Sequence, residues 1–252
     1  MSERTPDRAE PEVDFGYTKV APAEKTRRVA GVFSRVAERY DVMNDLMSFG
    51  SHRLMKRMLI EMSGLRRGQR HLDLAGGTGD IAALASRAVG GSGEVVLADI
   101  NAQMLEVGRD RMIEQGCDNV RCTRLNAEAL PFADASFDCV TIGFGLRNVT
   151  DKARALEEMR RVLRPGCALL VLEFSKVRNP LARSAYRSFQ ALWPAAGKLL
   201  VGDAAPYRYL VESIEMHPGQ EALALMLRDA GFDAVEHHDL AGGAAAIHRG
   251  VA

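Results

Sequence analysis

The sequence predicts an α/β fold: a Rossmann-like, mostly parallel seven-stranded sheet with helices on both faces. From residue 70 onward, short apolar runs alternate with amphipathic helical segments. The runs are almost continuously apolar, which is typical of parallel strands buried on both faces. The first run, 70–75, ends in the glycine-rich turn GGTGD. Ligands of such sheets bind beyond the carboxyl ends of the strands, so this turn marks a candidate site.

The predicted elements follow a regular order. Strands are predicted at 70–75, 94–100, 120–125, 137–144, 167–174, 233–240 and 242–250. Helices are predicted at 80–89, 101–115, 151–166 and 219–232. Asn101 is placed to cap the second of these helices, and Pro165 with Gly166 to stop the third.

One domain, 21–252, is expected to contain all these elements. The charged, proline-bearing stretch 1–20 predicts a mobile N-terminal tail. Two helical segments lie outside the strand–helix alternation, at 24–62 and 180–216. We interpret the first as an N-terminal lid and the second as an inserted segment that covers the open end of the sheet.

Composition excludes several classes of protein. Lys plus Arg and Asp plus Glu both number 33, so nothing demands a nucleic-acid partner. Neither a signal peptide nor a run long enough to span a membrane is found, which predicts a cytoplasmic protein. The four cysteines form no CxxC pair and the histidines no HExxH motif, so we expect reduced structural cysteines and no metal site.

The glycine turn does not match the common phosphate-binding motifs. The pattern D-x-A-G-G-T-G is neither G-x-G-x-x-G nor a P-loop, and no lysine lies within it. Asp73 and Asp80 flank the turn, and their carboxylates would repel a phosphate but suit a cation. We therefore expect Gly76–Gly79, including Gly77 and Thr78, to admit a cationic cofactor to the backbone.

An acid at the end of the second predicted strand completes this prediction. Asp99 lies twenty residues after Gly79, where a carboxylate accepts hydrogen bonds from a ribose diol. A nucleoside without phosphates but with a positive group fits S-adenosylmethionine. Asn126 and Ala127 follow the third strand, where contacts with an adenine ring are expected. The alternatives are that Asp99 only caps a helix and that residues 126–128 form a solvated loop.

Three stretches of the chain resemble the UbiE/MenG family. They are YDVMNDLMSFGSHRLMKR at 40–57, FGLRNVTD at 144–151 and RVLRPGCALLVLEFS at 161–175. The resemblance extends from about Phe15 to Gly250. It implies a class I methyltransferase fold, S-adenosylmethionine as methyl donor and a polyprenylated quinol as acceptor. It also implies cofactor contacts at Thr78, Asp99, Asn126 and Ala127.

The chain departs from the family pattern at a few positions. Many members carry a cofactor-binding serine where this chain has Gly143, so only a backbone contact is expected there. Met55 replaces a frequent tryptophan, and Cys167 replaces a glycine.

The chemistry predicts residues at the end of the fourth strand. Methyl transfer to a ring carbon needs alignment and an electron-rich, reduced ring, so a cation near the ring hydroxyl is expected. Arg147 and Asn148 follow that strand and are the candidate catalytic residues. The alternatives are an Arg147–Asp151 surface pair and a capping role for Asn148.

Three residues of the lid are candidate substrate contacts: Tyr40, Asn44 and His52. His52 is also a candidate base, although a single helical histidine is often only packed or solvated.

The acceptor's prenyl tail suggests peripheral contact with the inner face of the membrane. The first helix carries Lys25, Arg27, Arg28, Arg35 and Arg39. A basic amphipathic helix of this kind can lie on an anionic surface, although an ordinary solvated face would look the same.

Other functions remain open from the sequence. The acceptor is a benzoquinol, a naphthoquinol or both. A lipid or small-molecule methyltransferase with a different acceptor, and a non-catalytic scaffold subunit in an assembly of quinone-biosynthesis proteins, are the alternatives. An NAD-dependent oxidoreductase is disfavoured by the missing dinucleotide motif.

Overall fold

The computed structural model describes residues 12–36, 44–45 and 47–252. A hairpin at the start precedes a seven-stranded sheet. The strands are β1 (Val13–Phe15), β2 (Thr18–Val20), β3 (Arg70–Leu74), β4 (Glu94–Asp99), β5 (Val120–Arg124), β6 (Phe137–Gly143), β7 (Leu163–Phe174), β8 (Asp233–Leu240) and β9 (Ala245–Val251). The large sheet has the order β5-β4-β3-β6-β7-β9-β8, and β9 is antiparallel to both of its neighbours.

Helices cover both faces of this sheet. The helices are numbered α1 (Pro22–Val36), α2 (Ser51–Ser63), α3 (Asp80–Val89), α4 (Ala102–Glu114), α5 (Lys152–Val162), α6 (Pro180–Gln190), α7 (Trp193–Val201), α8 (Ala205–Met216) and α9 (Gln220–Asp229). Apolar residues of α5 and α9 pack on one face, with Leu156 and Leu227 fully buried. Residues of α2 and α3 pack on the other face, including Leu59.

The order of the strands determines where a ligand can bind. The chain moves outward from β3 to β4 and β5, then returns to place β6 on the other side of β3. This reversal leaves a crevice beyond the carboxyl ends of β3 and β6. The glycine turn after β3 lies at this crevice, as the sequence predicts.

The helix predicted over 151–166 ends earlier than expected. Helix α5 stops at Val162, and β7 begins at Leu163, which pairs with Phe137 of β6. Pro165 disfavours helical geometry at the preceding residue, and Gly166 has a φ of 78°. The proline and glycine therefore lie inside an extended strand instead of ending a helix.

The last strand also begins later than predicted. Ala241–Gly243 form a short 3-10 turn, and β9 starts at Ala245. Gly242 and Gly243 have φ values of 66° and 94°, which a regular strand does not accept.

Part of the stretch predicted as a mobile tail belongs to the fold. Strands β1 and β2 form an antiparallel hairpin within 13–20. The ring of Phe15 stacks on Tyr209 of α8 with centroids 4.4 Å apart. This packing of an aromatic pair anchors the hairpin, a contact that composition alone did not indicate; residues 1–11 lie outside the described residues.

Asn101 fastens the N-terminal helix to the sheet. Its side-chain oxygen accepts hydrogen bonds from the N–H groups of Gln103 and Met104, so it caps α4 as predicted. Its amide group donates to the Ala30 carbonyl at 2.9 Å and to the Ser34 hydroxyl at 3.1 Å. One side chain therefore joins α1 to the carboxyl end of β4.

This double role predicts a difference between two capping residues. Asn101→Ala should lose a helix cap and the contacts with α1, about 1–3 kcal/mol of unfolding free energy in urea. Asp151→Ala is the matched control, because Asp151 caps α5 through Arg154 and makes no contact with α1. Equal losses in the two variants would contradict a fastening role for Asn101.

Candidate active site

The glycine turn packs closely against β4. The N–H of Gly76 donates to the Ala98 carbonyl at 3.1 Å. A Cβ at Gly79 would lie 2.9 Å from the Cε of Met112, and the φ of Gly79 is 84°. Thr78, which lies between Gly76 and Gly79 in the chain, is buried. The glycines are therefore needed for close approach to the neighbouring strand and for the start of α3.

Asp99 organises the turn from the end of β4. Its two carboxylate oxygens accept the N–H groups of Gly77, at 2.9 Å, and Asn101, at 2.8 Å. Burial raises the pKa of Asp99 above its ordinary value. Each oxygen keeps a lone pair after these bonds, so the carboxylate can still accept hydrogen bonds from a diol.

A cavity of about 80 Å³ brings Asp99 together with Asn126, Ala127 and Asn148. Apolar side chains form much of its wall; they include Val29, Ala75, Ala98, Leu125 and Val149. In the described part of the chain, the charged residues that line it are Asp99 and Glu128, and no lysine or arginine does. An apolar slot with an acid and without a cation suits a nucleoside that carries no phosphate.

The two acids of the turn lie outside the cavity of Asp99, and their effect on a cationic cofactor stays a prediction. Asp80 forms ion pairs with Lys56 at 2.7 Å and Arg111 at 2.8 Å. Burial alone would raise the pKa of Asp80, but these two cations hold it below its ordinary value. Asp73 is completely buried beneath the turn, where it accepts from Thr141 at 3.0 Å, and burial raises its pKa to about 7. Asp99 and Glu128, rather than Asp73 and Asp80, provide the acidic lining of the cavity.

Gly143 lies at the end of β6, beside the turn. A Cβ there would collide with the side chain of Ile81. A serine at this position would therefore require Ile81 to move. Gly143 is not among the residues that line the cavity of Asp99, and its cofactor contact stays a prediction.

A larger, mostly apolar cavity of about 340 Å³ adjoins the first. Aromatic residues form much of its wall: Phe33, Phe144, Phe174, Tyr186, Phe189, Trp193, Tyr207 and Tyr209. They come from α1, from the ends of β6 and β7, and from α6–α8. Asn44 and His52 also line this cavity, and their contact with a substrate stays a prediction. Tyr40 lies outside the described residues.

Arg147 lies in the wall of the apolar cavity and is buried. One guanidinium nitrogen donates to Glu173 Oε1 at 2.8 Å, and the Arg147 backbone N–H donates to Oε2 at 3.1 Å. The same nitrogen also donates to the Phe144 carbonyl. The alternative pairing with Asp151 is wrong, because Asp151 caps α5.

Asn148 faces the cavity of Asp99, although its neighbour Arg147 faces the apolar one. The Tyr209 hydroxyl donates to Asn148 Oδ1 at 3.1 Å. Burial raises the pKa of Tyr209 to about 12, so this hydroxyl keeps its proton. Asn148 does not cap the following helix, and its amide NH₂ group stays available as a donor.

His52 forms a hydrogen-bonded pair with a carboxylate. Its Nε2 lies 2.8 Å from Asp45 Oδ1, and Asp45 also accepts from the Arg53 Nε at 2.8 Å. The Nδ1 of His52 is buried and has no partner among the described residues. Burial lowers the pKa of His52, so the imidazole is neutral at pH 7.

Sequence reasoning missed three residues of this site: Asp45, Glu173 and Tyr209. Asp45 and Glu173 lie inside the family stretches at 40–57 and 161–175. Tyr209 lies in the predicted cover segment, but nothing in the sequence distinguishes it from the other tyrosines there.

Comparison with known proteins identifies the family. Residues 21–252 match the model of the ubiE/COQ5 methyltransferase family. This chain is a member of that family. The ubiquinone/menaquinone biosynthesis C-methyltransferase UbiE of Pseudomonas putida is 55% identical over 251 residues, which are 99% of this chain and 98% of the relative. Its counterpart in Pseudomonas paraeruginosa is 56% identical over 245 residues, 96% of each chain. Membership confirms an S-adenosylmethionine-dependent C-methyltransferase.

Solved structures confirm the methyltransferase fold. A SAM-dependent methyltransferase from Aquifex aeolicus aligns with a TM-score of 0.54 and 17% identity, covering 92% of this chain and 98% of the other. One from Thermotoga maritima aligns with a TM-score of 0.60 and 21% identity, covering 88% and 98%. These likenesses concern the fold alone.

The position of Asp99 predicts a large effect on cofactor affinity. Asp99→Ala removes charge-assisted hydrogen bonds worth roughly 1.5–3 kcal/mol each. Calorimetry should show S-adenosylmethionine binding about tenfold to a hundredfold more weakly. Asp110→Ala on α4, where Asp110 is exposed and pairs with Arg109, is the control and should bind normally. Unchanged affinity in Asp99→Ala would remove this carboxylate from the site.

Proposed function

We propose that this family member methylates a ring carbon of a reduced, polyprenylated quinol, at the benzoquinol stage, the naphthoquinol stage or both. The observation that carries the proposal is the placement of two consecutive residues. Arg147 faces a large apolar cavity, and Asn148 faces the neighbouring cavity of Asp99. An acceptor ring and a methyl donor would therefore meet at this turn.

The residues around Asp99 fit the family's cofactor. Asp99 would hold the ribose, and Asn126 with Ala127 would contact the adenine. Gly76–Gly79 would leave room for the amino-acid end near the backbone. When bound, S-adenosylmethionine supplies an electrophilic methyl group on a sulfonium. Because the chain aligns the reactants, it avoids an entropic cost of up to about 7–11 kcal/mol.

Arg147 would raise the reactivity of the ring. A phenol with a pKa near 10 is ionised in only about one molecule in a thousand at pH 7, which corresponds to roughly 4 kcal/mol. The guanidinium is permanently charged and is held in an apolar wall by Glu173, so it would stabilise a phenolate there. Asn148, oriented by Tyr209, would donate to a ring oxygen or to the cofactor.

His52 would accept a proton. The ring carbon would form a bond to the methyl carbon while the bond between that carbon and sulfur breaks, so a neutral thioether would leave, and the hydrogen on the ring carbon would leave as a proton. Removing the proton of the ring hydroxyl also assists attack. His52 is neutral, lines the cavity and has a free Nδ1, and Asp45 on Nε2 would stabilise the imidazolium.

The acceptor's redox state tests the proposal directly. A short-chain demethylated quinone should gain a methyl group on carbon only after reduction, because the hydroquinone pushes electrons into the ring. The measurement is mass spectrometry of the product with and without a chemical reductant. Equal rates under both conditions, or a methyl group on oxygen, would contradict carbon attack by a quinol.

A proton-accepting His52 predicts a specific pH dependence. A neutral imidazole is required, so kcat should fall as the pH drops below about 6.5 and through the lowered pKa. His52→Gln should lower kcat by about 10²–10⁴-fold and abolish this acid limb. Arg53→Gln is the control, since Arg53 contacts the same carboxylate from an exposed position. A normal kcat in a folded His52→Gln variant would exclude the role.

The contacts of α1 favour a membrane contact on another part of the protein. Lys25 is buried, Arg28 pairs with Glu24, and Arg35 pairs with Asp203. Arg39 lies outside the described residues. Arg27 is the remaining cation of the described part of this helix and is exposed, so only a small basic surface is left there. No helix in the described ranges is long and apolar enough to cross a membrane.

Helices α6 and α7 provide a better surface. Residues 175–202 contain five cations and no acid, although Arg178 pairs with Asp239 and Arg187 with Glu215 from other segments. Leu181, Leu192 and Leu199 are exposed here by 83%, 63% and 85%. Phe189 and Trp193 of the same helices line the apolar cavity. We propose that this surface, Leu181–Leu199, rests on an anionic bilayer and that the prenyl tail enters beneath it.

Vesicle binding tests the surface. Replacing the three leucines with serine should weaken partition onto phosphatidylglycerol vesicles at least about tenfold, because their apolar area no longer enters the lipid. The control replaces two exposed apolar residues elsewhere, Ile113 and Leu225, with serine. Equal losses in both variants would contradict a specific docking surface.

A further inference from the structure

A third cavity lies behind the turn that carries Arg147. It measures about 220 Å³ and is bounded by the β1–β2 hairpin, the start of α5 and the end of α8. Arg147 and Tyr209 line both this cavity and the apolar one. The two cavities therefore share a wall, but this one is mostly polar.

The inner wall contains buried nitrogen atoms without partners. His217 is 4% exposed, and neither of its ring nitrogens has a hydrogen-bond partner among the described residues. The Nε of Arg147, which is 6% exposed, is also without a partner there. Buried polar atoms are normally satisfied, so these positions indicate a missing hydrogen-bonding group.

Two amines add positive charge to the same wall. Lys25, 3% exposed, and Lys152 both donate to the Val149 carbonyl, at 3.0 and 3.3 Å. Within residues 12–36, 44–45 and 47–252, neither amine has a carboxylate within ion-pair distance. Each ammonium therefore keeps protons that can be donated into the cavity.

Burial disfavours the positive charges of Lys25 and Lys152. Burial, assisted by the neighbouring Lys152, lowers the pKa of Lys25 to about 8, and burial also lowers the pKa of Lys152. Burial lowers the pKa of His217 to about 4, so its ring is neutral at pH 7. A neutral imidazole offers one donor and one acceptor.

The acids of the cavity lie at its outer side. Asp14 pairs with Lys19 at 2.7 Å, and both side chains are at least 40% exposed. Glu12 is exposed as well. Glu173 approaches from behind but is already bound to Arg147. Asp14 and Glu128 act on both inner amines and raise their pKa values, as Glu173 and Asp151 do for Lys152, but burial outweighs them and both pKa values stay below the ordinary one.

We propose that this cavity is a binding site for a compact oxyanion of the phosphate class. Such an anion has several acceptor oxygens, which match the donors of Lys25, Lys152, Arg147 and His217. Charge-assisted hydrogen bonds of this kind are the stronger ones in proteins. The volume holds one phosphate group with water. The cavity shares Arg147 and Tyr209 with the acceptor pocket and Thr150 with the donor pocket, and Lys25, Lys152 and His217 line neither of those pockets.

Occupancy is linked to proton uptake and to the reaction. The anion favours charged Lys25, so binding near pH 8 takes up a proton, and affinity falls as the pH rises above that value. The anion also accepts a hydrogen bond from the Arg147 guanidinium, which faces the apolar cavity as well. Phosphate is therefore expected to slow methyl transfer.

Calorimetric titration with inorganic phosphate at pH 7, at constant ionic strength, tests the proposal. Saturable binding is expected, and Lys25→Met and Lys152→Met should each weaken it at least about tenfold. His217→Phe should weaken it without removing a charge. Lys198→Met, on exposed α7, is the charge-matched control and should bind within twofold of the unaltered chain.

Two outcomes overturn the proposal. One is the absence of saturable binding by the unaltered chain, and the other is an equal loss in Lys198→Met and the inner variants. A parallel titration with glycerol 3-phosphate distinguishes the sources of the ligand. Comparable affinity indicates a phosphoryl group carried by an organic molecule, and binding of inorganic phosphate alone indicates the free ion.

Discussion

The buried ion pair between Arg147 and Glu173 is the contact on which the site depends. Glu173 is 1% exposed at the end of β7, and both of its oxygens are bound by Arg147, one through the backbone and one through the side chain. A single carboxylate thus fixes the turn after β6 and the direction of the guanidinium. Removing one partner of such a pair typically costs about 3–5 kcal/mol, because the other charge is left buried.

The pair also explains how three cavities meet at one turn. Arg147 is held in the wall between the apolar cavity and the polar cavity behind it, and Asn148 turns toward the slot of Asp99. Tyr209 supports this arrangement by donating to Asn148. A methyltransferase needs its donor and acceptor sites next to each other. Here Arg147 and Asn148, consecutive residues of one short turn, line the two neighbouring cavities.

Much of the candidate cofactor site could be predicted from the sequence, because its residues lie at strand ends and helix caps that neighbouring residues in the chain determine. Asn101 caps α4, and Asp99 follows β4, since strand ends and caps have signals within a few residues. Partners that are distant in the chain could not be predicted. The pairing of Arg147 with Glu173 depends on the register of β6 and β7, and burial of Lys25 depends on how α1 packs. A residue's own neighbours in sequence carry no information about either.

The central claim is that a guanidinium fixed by Glu173 activates the acceptor ring. The most direct measurement is kcat for the double variant Arg147→Met, Glu173→Gln, which removes both charges and leaves neither buried alone. The account predicts an unfolding free energy within about 1 kcal/mol of the unaltered chain, cofactor affinity within a few-fold, and kcat at least about a hundredfold lower. A stable double variant with normal kcat would contradict it.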